Sequence, residues 1–175
     1  MKDYNGKVRV VFKNLVVHPQ QVARAHLANC AAAKQGKFKE FYNAFWEKAY
    51  KPYTETRDAT LLSEEKFLAW APSLGLDAAK LKADMDGECQ QVIAADAAEL
   101  RKFRVGSTPS FFINGHYVAG AMDVNGFKQL IDRELALAEK TGTSADEFYD
   151  KEIMGKGEKQ FRAAGTPKPQ AEKPQ

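Results

Sequence analysis

Cysteine is scarce in this chain, and long apolar runs and glycine-rich phosphate loops are missing. Each shortage removes a class of function. Among 175 residues there are two cysteines, Cys30 and Cys89. They stand far apart, in neither the Cys-x-x-Cys of a redox dithiol nor the paired spacing of a zinc cluster. A long-range disulfide is one expectation for them in an oxidising compartment, and two buried thiols are the other elsewhere. The histidines, His18, His26 and His116, are scattered. Nothing places three ligands on one face, so no metal site is expected. No cofactor is expected either, since no glycine-rich loop cradles a phosphate. No apolar run approaches the roughly 18 residues of a membrane span. The opening Met-Lys-Asp-Tyr-Asn-Gly has no signal-peptide core, which taken literally keeps the chain in the cytoplasm. Net charge is only +3, with Lys and Arg interleaved among Asp and Glu. That pattern is a solvated surface, and with no basic stripe of stacking aromatics a nucleic-acid partner is not expected.

What is present suffices for one globular domain with a sizeable core, since 44% of the residues are hydrophobic. Residues 7–17 read as a buried strand: Val8, Val10 and Phe12 alternate with Arg9 and Lys13, and Leu15-Val16-Val17 extend the run. His18-Pro19 breaks it, and proline suits the first turn of a helix. An alanine-rich helix is predicted over 20–34. A second helix over 38–50 carries Phe38, Phe41, Tyr42, Phe45, Trp46 and Ala49 at three- and four-residue steps, the pattern of a core-facing stripe. Residues 51–62 read as a polar connection. Ser63 opens a helix that Pro72 and Gly75 close. Asp77 is a natural N-cap for a short helix bearing Leu81 and Met85. Gly87 interrupts, and a longer helix follows to about 104. Asp123 caps an amphipathic helix with Val124, Phe127, Ile131 and Leu135 on one face, and Ser144 to Met154 is a further short helix.

The most informative segment is Gly106-Ser-Thr-Pro-Ser-Phe-Phe-Ile-Asn-Gly115. Proline pushes Thr108 out of the helical region and ends any helix before it. Ser110 to Ile113 suit a strand, Asn114-Gly115 is a strong hairpin signal, and Tyr117 to Ala119 make the return. Sequence alone leaves the Thr108–Pro109 isomer open. Residues 161–175 form a tail. From 163 onward it has no large apolar residue, and disorder is expected there.

A strand, a large helical block, Thr-Pro, a hairpin and a last helix make an α/β order. That order resembles the thioredoxin fold with the helical insertion of the DsbA-like family. Gly6 to Phe12 resembles the family's second strand, His18-Pro19 through Gln35-Gly-Lys-Phe38 the start of its insertion, and Val105 to Gly115 its cis-proline loop and hairpin. The resemblance implies a thioredoxin-like domain over 1–160, with the insertion at about 20–104. Relative to the family pattern, the first strand and the Cys-x-x-Cys helix are missing. It implies that Ser107, Thr108 and Pro109 face an extended polypeptide substrate, and that the chain works in the periplasm or elsewhere outside the cytoplasm. It also implies thiol–disulfide oxidoreductase or isomerase chemistry, silent in this chain for want of the dithiol.

Two other readings compete. One is a non-redox peptide-binding or assembly module that uses the same loop. The other is a glutathione-dependent transferase or isomerase of related fold. Cys30 is a weak catalytic candidate, with His26 one helical turn away as a base. The apolar run at 7–17 makes an uncomfortable sheet edge, and a strand-exchanged homodimer would cover it.

Overall fold

The computed structural model describes residues 4–163, in two compact units. One comprises residues 10–99, the other residues up to 9 together with those from 100 onward. The expectation of disorder at 161–175 falls largely outside the described residues.

The first unit is helical. Its elements are α1 (Pro19–Lys34), α2 (Phe38–Phe45), α3 (Lys51–Thr56), α4 (Glu64–Trp70), α5 (Ala78–Asp86) and α6 (Glu88–Lys102), the last of which runs on past residue 99. Proline opens α1, at a position where its missing N–H is no loss. The buried face of α1 is made of Ala25, Ala28, Ala31 and Ala32. Side chains this short let α2 and α5 approach the α1 backbone closely, so the bulk of the core comes from them. Phe41 packs edge-on against Phe67 of α4 with ring centroids 5.8 Å apart, and Leu81 and Met85 of α5 are fully buried. The caps lie where the sequence places them. Ser63 accepts from the Lys66 N–H, and Asp77 Oδ1 accepts from the Lys80 N–H at 2.9 Å.

Two expectations fail here. Residues 51–62 are not an irregular connection. A π-helical turn at Trp46–Tyr50 runs straight into α3, and a 3₁₀ turn follows at Ala59–Leu62. Pro52, which has no N–H to donate, falls where the π-helical turn hands over to α3, beside the Lys51 N–H to Trp46 carbonyl bond. Arg57, in the left-handed region at φ 59°, ends that helix. The second failure is the strand at 7–17. Val8 to Val16 run as irregular backbone with no ladder, and Val10, Val11 and Phe12 are exposed. β-branched alternation fits a residue to a sheet, but a strand exists only through a hydrogen-bonded neighbour. No described segment pairs with this one. Its firm attachment is side-chain made: the Asn14 N–H donates to Asp96 Oδ2 of α6 at 2.8 Å.

The second unit holds the hairpin of β1 (Ser110–Ile113) and β2 (His116–Ala119), then α7 (Val124–Lys140) and α8 (Ala145–Phe148), which continues as a π-helical turn to Met154. The strands are antiparallel, with Ser110 opposite Ala119 and Ile113 opposite His116. Asn114 (φ 46°) and Gly115 (φ 88°) both have positive φ, which a two-residue hairpin turn matched to strand twist demands. Phe111 of β1 meets Phe127 of α7 edge-on at 4.8 Å. Asp123 caps α7, accepting from the Gly126 N–H at 2.7 Å.

Candidate functional site

The loop before β1 is held from both sides and left open in the middle. On its N-terminal side α6 ends, and the buried Val105 donates its N–H to the Leu100 carbonyl at 3.1 Å. Arg104 takes a left-handed conformation there, φ 56°. On the C-terminal side, the Gly120 N–H donates to the Pro109 carbonyl at 2.9 Å. The Ser110 hydroxyl, 3.1 Å from Tyr117 Oη, donates to the Ser107 carbonyl at 2.8 Å. The Thr108–Pro109 peptide bond is cis.

Between these anchors, Gly106, Ser107, Thr108 and Pro109 are all exposed. The N–H and C=O of Thr108 have no partner among the described residues. An exposed, unpaired peptide group fixed by its neighbours can hydrogen-bond one residue of an extended chain, the unit of strand addition. Ser107, Thr108 and Pro109 are thus brought into one surface.

The sulfurs are in the helical unit. Cys30 of α1 and Cys89 of α6 form a disulfide, Cα–Cα 5.8 Å, and no free cysteine remains. Cys89 is fully buried and Cys30 partly so. Cys30 therefore carries no thiol with which to act as a nucleophile. Nor is His26 aimed at it. His26 Nδ1 lies 3.1 Å from Asn14 Oδ1. That oxygen can only accept, so Nδ1 carries the proton. Burial lowers the His26 pKa.

Two polar features went unmentioned in the sequence reading. Asp96 is a buried carboxylate that accepts from the backbone N–H and from Nδ2 of Asn14, with the Lys13 ammonium at 3.2 Å. Lys13 is held above the ordinary lysine range by its hydrogen bond to Glu99 and, beyond that, by Asp96. The signal was present: Asp96 falls on the same stripe of α6 as Cys89 and Leu100, an acid on an otherwise apolar face. Glu134 of α7 is likewise buried, bonded by Arg133 at 2.8 Å with His116 Nε2 at 3.5 Å. Among the described residues no cluster of His, Cys, Asp and Glu is arranged to hold a metal ion. No described helix is long and apolar enough to cross a membrane.

A helical unit, a hairpin backed by a helix and a loop ending in Thr-Pro define an α/β protein of thioredoxin type. A family model described as thioredoxin matches residues 1–133, and the chain belongs to that family. No curated protein and no solved structure matches it.

Proposed function

We propose that the chain is a DsbA-like member of the thiol–disulfide oxidoreductases. Residues 20–104 are its helical insertion, and Thr108-Pro109 is its seat for an extended polypeptide. The exposed peptide group of Thr108, unpaired among the described residues, carries the reading. A peptide laid across it gains backbone hydrogen bonds whatever its side chains, which suits a protein acting on many substrates. The disulfide fits work outside the cytoplasm, where such bonds persist. The chain itself should not turn over. Its 175 residues contain no Cys-x-x-Cys, and exchange of a substrate disulfide needs a free thiolate and a second thiol to resolve the mixed species.

Insulin reduction followed by turbidity tests this. The expected rate is that of buffer alone, while an unstructured peptide binds in fluorescence anisotropy and Thr108→Pro, which deletes the N–H, weakens it. Turnover that disappears on Cys30→Ser would overturn the reading. The non-redox peptide-binding module is favoured instead if binding is unchanged when both cysteines are serine and no upstream dithiol exists in the gene. A second copy covering Val10 to Phe12 belongs to the proposal. Their exposed and unbonded backbone supports it, and light scattering at twice 19.5 kDa is the expected result.

A further inference from the structure

The two sulfurs of the disulfide sit in unlike surroundings, and that difference gives the bond a direction. Cys30 lies in the C-terminal third of α1 and is partly exposed. Cys89 is 0% exposed. An attacking thiolate must reach a sulfur from outside, so access favours Cys30.

The leaving group favours the same polarity. Cys89 falls in the first turn of α6, a helix of 15 residues. The positive end of the helix dipole there favours a thiolate. Glu88 beside it would oppose this, but its carboxylate is paired with the Lys34 ammonium. Lys34 also holds Asp84 at 2.7 Å, which keeps the ammonium at this end of α6. Cys30, toward the C-terminal end of α1, has neither advantage. A sulfur with a lower pKa leaves faster.

We propose that the Cys30–Cys89 bridge is a thiol–disulfide exchange site of fixed polarity that takes small-molecule thiols at Cys30. The incoming thiolate attacks Cys30 Sγ. The Cys30–Cys89 bond breaks and a bond between Cys30 and the incoming sulfur forms. The electron pair leaves on Cys89 Sγ, as a thiolate that water can protonate. One disulfide is traded for another, so no oxidant is consumed. A second thiol attacking the mixed disulfide completes reduction and departs as its own disulfide. The reverse step, Cys89 thiolate attacking the mixed disulfide, recloses the bridge and expels the small thiol. Cys30 is therefore the electrophile of the pair, the opposite of the nucleophile its sequence setting suggests. The proposal is independent of peptide binding at Thr108.

Reduced glutathione is the probe. The folded wild-type chain is incubated with it at about pH 8, quenched with acid at intervals, alkylated and mapped by peptide mass spectrometry, with circular dichroism confirming that the fold persists. The expected early product carries glutathione on the Cys30 peptide at least tenfold over the Cys89 peptide, with Cys89 recovered alkylated. Adduct on Cys89 in equal or greater amount would overturn the polarity. Adduct that forms only in urea sufficient to unfold the chain would show a sealed structural bridge and overturn the site.

Discussion

Asp96 organises the least expected part of the structure. It takes two hydrogen bonds from Asn14 and the charge of Lys13, so a stretch of chain with no strand partner is still fixed. Removing it leaves the Asn14 N–H buried without an acceptor. Asp96→Ala should destabilise the helical unit by about 2 kcal/mol in urea unfolding, more than an exposed carboxylate would. His26, which contacts the same asparagine, adds a pH dependence through its burial. Burial holds its folded pKa below the ordinary 6.5, so the unfolded chain binds a proton first as pH falls. The stability it confers is whole above that unfolded value and declines as pH drops through it toward the folded pKa. Urea midpoints measured at about pH 7.5 and 5.5 should fall on acidification, and His26→Gln should flatten that fall. Neither residue was legible in the sequence as a partner of Asn14. The spacing of α6 marks Asp96 as anomalous, but nothing local says that residue 14 completes it.

The elements were legible in proportion to how local their causes are. Helix starts are local, and Ser63, Asp77 and Asp123 all cap as their side chains dictate. The Asn114-Gly115 turn is local too, and both residues adopt the positive φ it requires. The strand expected at 7–17 is the counterexample, because its partner has to come from elsewhere in space. The stretch at 51–62 failed differently: its polar composition concealed a continuing helix to Thr56 and then a 3₁₀ turn, whose buried residue is Leu62. Two substitutions separate cap from core. Asp123→Ala should cost about 1 kcal/mol, read as a small downward shift of the melting temperature. Phe67→Ala opens a cavity beneath Phe41 and Phe45 and should cost about 3–5 kcal/mol.

For the whole molecule, the family was readable from the helical block, the Thr-Pro and the hairpin with its following helix, although the strand placed first in that order did not form. The redox state of the cysteines was not readable, since the positions that make a bond are brought together by packing of α1 against its neighbours. The cross-link spans 59 residues. By chain entropy that closure is worth about 4 kcal/mol against the unfolded state. Cys89→Ser should lose most of it, with urea denaturation of reduced wild type giving the same midpoint as the variant. A variant as stable as oxidised wild type would show that the bridge contributes little.

The same closure decides what a protease can release. Arg57 stands exposed at the end of α3, inside the ring that the two sulfurs close. A tryptic cut there severs the backbone, yet both halves stay covalently joined. On a non-reducing gel such a nicked chain keeps its full mass, and it separates into two only when thiol is added. The helical unit can be cut without being dismantled.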